Sequence, residues 1–111
     1  MGKREYLGHL ELLVLLAVMR TGRNASGIPI AREIEDHSGR AVALGSVYAT
    51  LARLEEKGLV VSELGEPTAA RGGRAKAYFH PTAQGLRAAR EAQVTLTRLW
   101  QGVAELKGRG A

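Results

Sequence analysis

The spacing of the apolar residues changes from a helical period to a strand period directly after Gly58. Before this glycine, apolar residues recur every three or four positions and predict three helices, over 5–20, 27–37 and 46–57. The segment 59–64 is rich in β-branched and apolar residues, which favours a strand. The apolar residues of the first helix cover more than one face, so this helix is predicted to lie at the centre of the core.

A β-hairpin and a last helix are predicted to follow. Glycine and proline residues interrupt the chain over 65–74, and a second short strand is predicted over 75–80. The last helix is predicted to begin at Thr82, as its N-cap, and to run to about Lys107. The predicted fold class is therefore mainly α with a small β-hairpin.

Local residue types predict where these elements end. Ser26 is expected to cap the second helix, because its hydroxyl can accept a backbone N–H of the first turn. Pro29 falls in that first turn, where a missing N–H costs little. Gly39 and Gly58 are expected to stop the second and third helices. Pro81 is expected to shorten the second strand, because proline cannot donate to a ladder.

This order of elements is typical of a winged helix-turn-helix domain, predicted over 1–81, with a C-terminal dimerisation helix over 82–111. The second helix of a helix-turn-helix pair enters the major groove of DNA, and here that helix is 46–57. The residues predicted to face outward near its N-terminal end are Ser46, Tyr48, Ala49, Thr50 and Arg53. Tyr48 has a second interpretation, as a packed aromatic residue whose hydroxyl bonds to a local partner.

Positive charge is concentrated in the hairpin and the start of the last helix. The net charge is +5, and no acidic residue lies between Pro67 and Arg90. The basic residues of this stretch are Arg71, Arg74, Lys76, Arg87 and Arg90. Glycines such as Gly73 allow a backbone to approach a surface closely, and the flanking cations can pair with phosphates. We interpret the tip as a phosphate-facing wing; the alternative is a glycine-rich turn with solvated arginines.

The last helix carries an apolar seam with alternating spacings of three and four residues. Its predicted interface residues are Ala92, Leu96, Leu99, Trp100, Val103 and Leu106. Such a seam predicts a homodimer, although part of it could fold back on the first helix. Trp100 could line a small-molecule pocket at the interface, but simple packing is favoured because no polar groups converge there. Any effector is unknown.

Other function classes find little support. The chain has no cysteine, and His9, His37 and His80 are dispersed without a metal-ligand spacing. No nucleophile–base set is recognisable, so we expect no enzyme, no metal and no cofactor. The apolar run 12–18 is too short to span a bilayer, and a cytoplasmic location is the default expectation.

Two segments carry a family resemblance. Residues 45–60, which read GSVYATLARLEEKGLV, resemble the recognition helix and following strand of the PadR-like transcriptional regulators. Residues 72–85 resemble the family's wing strand and the entry into its last helix, and the single C-terminal helix resembles its short subclass. The resemblance implies a homodimer that binds promoter DNA, usually as a repressor. The two-fold symmetry of such a dimer predicts that it binds an inverted repeat. The DNA contacts that it implies are Ser46, Tyr48, Arg53, Arg74 and Lys76.

The main alternative function is that of a winged-helix module that binds another protein and no DNA, because fold does not determine function. The acid-free, arginine-rich wing argues against it.

Overall fold

A computed structural model describes residues 7–66 and 75–106. Its helices are α1 (His9–Thr21), α2 (Gly27–Ser38), α3 (Leu44–Glu56) and α4 (Ala83–Gln101), its strands are β1 (Val60–Leu64) and β2 (Ala77–Pro81), and short 3-10 turns cover Gly22–Asn24 and Ala104–Leu106. The strands form an antiparallel pair, in which Ser62 lies opposite Phe79. The predicted fold class, mainly helical with one small hairpin, is confirmed.

Helix α1 lies at the centre of the core, as predicted. It packs against α2, α3, β2 and α4, and Val14, Leu15 and Val18 are completely buried. The apolar stripes of the next two helices face it, and their buried residues are Ile30, Ile34, Val47, Leu51 and Leu54. Burial of a side chain of this kind contributes about 1.5–3 kcal/mol, so these stripes determine how the first three helices pack.

The predicted ends of α2 and α3 are confirmed only in part. Gly39 and Gly58, with φ of 76° and 77°, adopt the left-handed conformation that terminates a helix, as predicted. Ser26 occupies the N-cap position of α2, but its hydroxyl forms no capping hydrogen bond. That hydroxyl is buried without a partner among the described residues, so the prediction that it caps the helix is wrong. Helix α3 begins at Leu44, two residues earlier than predicted.

Pro81 does not shorten the second strand, and that prediction is also wrong. Strand β2 runs to Pro81, which pairs with Val60. The N–H of Phe79 points away from β1 and donates to the Ala25 carbonyl at 2.8 Å. Residues two apart on a strand direct their N–H groups to the same side. Pro81 therefore lies where an N–H would not bond to β1, and its missing donor costs the hairpin nothing.

Helix α4 begins as predicted and ends early. The Thr82 hydroxyl accepts the Gly85 N–H at 3.0 Å, which confirms the N-cap. The helix ends at Gln101, with Gly102 as its C-cap, and does not reach Lys107. Glycine is a poor helix former. The prediction used only the spacing of apolar residues, which continues past Gly102 and therefore gave no sign that the helix ends there. The predicted interface residues Val103 and Leu106 therefore lie beyond the helix.

Most of α4 projects from the rest of the molecule. The Cα radius of gyration is 16.0 Å, whereas a compact chain of this length has about 13 Å. Ala88 and Ala89 pack against the core, but every residue from Gln93 to Gln101 is exposed. In the described segments 7–66 and 75–106, no helix is both long and apolar enough to cross a membrane.

Candidate nucleic-acid interface

Most of the α3 residues that were predicted to contact DNA are exposed. Ser46 and Ala49 are exposed, and Tyr48 is 44% exposed. Thr50, in contrast, is completely buried, so the prediction that it faces outward is wrong. Thr50 lies three residues after Val47 and therefore falls beside the buried stripe of the helix. Its hydroxyl donates to the Ser46 carbonyl at 2.7 Å.

Tyr48 combines features of both interpretations made from the sequence. Its ring lies over Gly27 at the start of α2, so close that a Cβ on Gly27 would overlap the hydroxyl oxygen and lie 2.5 Å from Cζ. The ring is thus packed, yet it remains half-exposed. Within 7–66 and 75–106 the Tyr48 hydroxyl has no hydrogen-bond partner. Contact with Gly27 fixes the hydroxyl end of the ring between the N-terminal ends of α2 and α3.

We expect Gly27→Ala to displace Tyr48. In the wild-type background the substitution should lower stability by about 1 kcal/mol, because the ring must move to admit the methyl group. In a Tyr48→Ala background the same change should be neutral or slightly stabilising, since alanine favours the helix. Urea unfolding of the two single variants and the double variant measures this coupling. Additive effects would contradict the contact.

A buried carboxylate that the sequence analysis missed connects α1 to α3. Glu11 is 8% exposed, and its Oε1 accepts the Gly8 N–H at 2.9 Å. Lys57 Nζ donates to both carboxylate oxygens, at 2.9 and 3.1 Å. Arg53 Nε lies 3.4 Å from Oε2. An acidic residue within the aliphatic run of α1 was the available indication, because a buried charge requires a partner.

The pKa of Glu11 reflects these contacts. Desolvation by burial favours the neutral acid and alone would raise the pKa. The hydrogen bonds from Gly8 and Lys57, the Lys57 charge and the Arg53 contact outweigh burial, so the pKa of Glu11 lies below its usual value. The carboxylate is therefore ionised at neutral pH and anchors both cations.

Arg53 is held at two points. Its Nε faces Glu11, and its Nη2 donates to the Thr50 hydroxyl at 3.2 Å. About half of the side chain is nevertheless exposed, at 52%. The predicted outward position of Arg53 thus agrees with the structure, while its orientation depends on a residue of another helix.

The wing is described only at its base. Arg71, Gly73 and Arg74 lie outside the described residues. Lys76 is half-buried, and its Nζ lies 5.9 Å from the centroid of the Tyr78 ring, within the range of a cation–π contact. The Lys76 carbonyl accepts the Gly65 N–H at 2.8 Å, which extends the hairpin ladder by one pair.

The predicted dimer seam is largely uncovered in the single chain. Leu96, Leu99 and Trp100 are 50%, 67% and 55% exposed, whereas Ala92 is half-buried. Val103 and Leu106 are 37% and 41% exposed beyond the end of α4.

Among the residues that the structure describes, no three His, Asp or Glu side chains come together as a group that could hold a metal ion.

Solved structures of other proteins resemble the fold of this chain. A PadR family transcriptional regulator from Eggerthella lenta DSM 2243 is 29% identical, with a TM-score of 0.69 over 87% of this chain and 84% of that chain. A PadR family transcription regulator from Clostridium difficile R20291 is 21% identical, with a TM-score of 0.73 over 91% of this chain and 100% of that chain. A PadR-like regulator from Bacillus cereus strain ATCC 14579 is 23% identical, with a TM-score of 0.70 over 90% and 93% of the two chains.

The sequence of the chain also matches a protein family as a whole. A comparison with curated proteins finds no significant match. The sequence profile of the transcriptional regulator PadR-like family, however, matches residues 15–91, which is well over half of the chain. The match includes α2, α3, the hairpin and the start of α4. The chain therefore belongs to the PadR-like family of transcriptional regulators.

Proposed function

We propose that this chain is a sequence-specific DNA-binding repressor that acts as a homodimer on an inverted repeat. The observation that carries the proposal is the exposed N-terminal face of α3 in a chain whose surplus positive charge lies between residues 67 and 90. The family membership supports a regulatory role, usually repression, and the resemblance of residues 45–60 and 72–85 to the family's recognition helix and wing supports DNA binding.

Helix α3 enters the major groove in this proposal. Ser46 and Ala49 present small side chains on its exposed first turns, so the helix can approach base edges closely. The half-exposed Tyr48, whose hydroxyl lies at the N-terminal end of α2, contacts phosphate or a base. Thr50 is not proposed as a contact, because it is buried. Arg53 contributes a guanidinium that can bind guanine or phosphate.

The wing supplies contacts that do not depend on sequence. Arg71, Arg74 and Lys76 pair with phosphates, and Gly73 lets the backbone approach them. Residues 1–81 form the DNA-binding domain in this account, and residues 82–111 form the dimerisation segment. Trp100 packs within the interface, and we propose no effector for it.

Replacing Arg74 and Lys76 together by alanine should weaken binding to all duplexes similarly. The slope of affinity against salt concentration should flatten by about one to two phosphate contacts, because fewer counterions are released. Fluorescence anisotropy with a selected and a scrambled duplex at several salt concentrations measures both effects. Arg74→Lys with Lys76→Arg, which keeps the charge, is the matched control and should retain the slope. An unchanged slope in the alanine variant would exclude the wing from the interface.

The same titration of the wild-type protein separates this function from the protein-binding rival. A DNA-binding regulator should bind duplex DNA with an affinity that falls steeply with salt. A protein-binding module should show weak binding without preference between the two duplexes.

A further inference from the structure

We propose that Glu11 and Thr50 act as positioning residues for DNA readout, by holding the Arg53 guanidinium in one orientation on α3. Neither side chain is placed to touch DNA, since Glu11 is 8% exposed and Thr50 is completely buried. The inference rests on the proposed function, because it assigns to Arg53 a contact with DNA.

Arg53 is contacted by residues of two helices, α1 and its own helix α3. Nε faces a carboxylate of α1 at 3.4 Å, and Nη2 donates to a hydroxyl one turn earlier in α3 at 3.2 Å. Contacts at Nε and Nη2, together with the covalent bond from Nε to the rest of the side chain, restrict rotation of the planar guanidinium more than a single contact would. The remaining guanidinium N–H groups form no hydrogen bond within the described residues, and the side chain is 52% exposed.

The charges of the cluster leave Arg53 able to bind an external acceptor. Glu11 carries one negative charge, and Lys57 alone satisfies both of its oxygens, at 2.9 and 3.1 Å. Arg53 Nε lies 3.4 Å from the same carboxylate, as a second cation beside it. When Arg53 binds an approaching phosphate or guanine, Glu11 therefore keeps its hydrogen bonds to Lys57.

The hydroxyl of Thr50 is itself fixed. It donates its proton to the Ser46 carbonyl at 2.7 Å, so it presents a lone pair to Arg53. A free arginine loses much rotamer entropy when it binds in one geometry, and a preorganised one loses less. Orientation by Glu11 and Thr50 should thus favour the acceptor geometry that matches, which is a contribution to specificity more than to general affinity.

Two variants test this. Glu11→Gln weakens the hold on Nε, and Thr50→Val removes the acceptor of Nη2 without a change of charge. Glu56→Gln is the matched control for Glu11→Gln, because it makes the same charge change at an exposed position of α3. Arg53→Ala, alone and combined with each variant, completes the cycles. If Glu11→Gln does not fold, Thr50→Val carries the test.

The first measurement needs no DNA. The ¹⁵N heteronuclear NOE of the Arg53 Nε–Hε group should be high in the wild type and in Glu56→Gln, and should fall in Glu11→Gln and in Thr50→Val. An equally high NOE in folded variants would overturn the proposal, because Arg53 would then be fixed by something else.

The second measurement is the ratio of affinities for a selected site and a scrambled duplex. This ratio should fall about ten-fold in each positioning variant, stay unchanged in Glu56→Gln, and fall no further when either change is added to Arg53→Ala. Equal losses with and without Arg53 would show a merely structural role and overturn the proposal. A wild-type protein without preference between the duplexes would overturn the proposed function, and this inference with it, whatever the NOE shows.

Discussion

Replacing Leu96 and Leu99 by glutamate should convert the protein to a monomer and lower its affinity for an inverted repeat by about 100-fold or more. Both leucines project from α4 with half or more of their surface exposed in the single chain, so charge there should leave the fold of the monomer intact. In a dimer the same positions would bury four carboxylates without partners, which a stable interface does not tolerate. The loss of affinity follows because each half-site would then be bound by itself.

The matched control places the same charges elsewhere on the helix. Thr97 and Gln101 are exposed on α4, away from the seam, and their replacement by glutamate should leave the dimer intact. Sedimentation velocity at micromolar concentration measures the oligomeric state of each variant. A dimer that survives the leucine substitutions would show that α4 does not form the interface.

Gly85→Ala should lower the free energy of unfolding by about 2 kcal/mol or more, although alanine is the better helix former. The helix propensity of alanine would contribute about 1 kcal/mol. A Cβ at this position, however, would overlap the Leu59 carbonyl oxygen and lie 3.1 Å from its carbon. Backbone overlap of this kind costs about 3 kcal/mol, so the clash determines the sign.

The neighbouring contacts explain why the backbone cannot move away. The Leu59 carbonyl accepts the Thr82 N–H at 3.0 Å, and the Thr82 hydroxyl donates to the Gly58 carbonyl at 2.7 Å. The turn after α3 is thereby fixed to the start of α4, and Gly85 lies against it. Gly102→Ala is the control, since a Cβ there would meet nothing within 4 Å. Urea unfolding measures the free energy of unfolding of both variants. Equal values for Gly85→Ala and Gly102→Ala would contradict the close approach at Gly85.

Patterns repeated over several turns predicted the fold correctly. The spacing of Ile30 and Ile34, and of Val47, Leu51 and Leu54, placed α2 and α3 against the core because burial of a whole stripe outweighs local preferences. Single-residue rules were less reliable. The Thr82 cap formed, but the equivalent rule failed at Ser26, whose buried hydroxyl makes no capping hydrogen bond.

The candidate site shows the same limit. Sequence patterns placed Tyr48 and Arg53 on the exposed face of α3, but they assigned Thr50 to that face although it lies beside the buried stripe. They also missed Glu11, which is 42 residues before Arg53 in the chain and meets it only through the packing of α1 on α3. Contacts between distant segments depend on how helices pack, which periodicity alone does not specify.

The most direct test of the account is selection of duplexes from a random library by the full-length protein. A homodimer that reads DNA through α3 should enrich an inverted repeat, with half-site centres about 10 base pairs apart, one turn of the double helix. Each half-site should lose binding when its bases are changed, while the wing variant should enrich the same motif more weakly. Recovery of no motif, or of a single half-site without symmetry, would contradict the central claim.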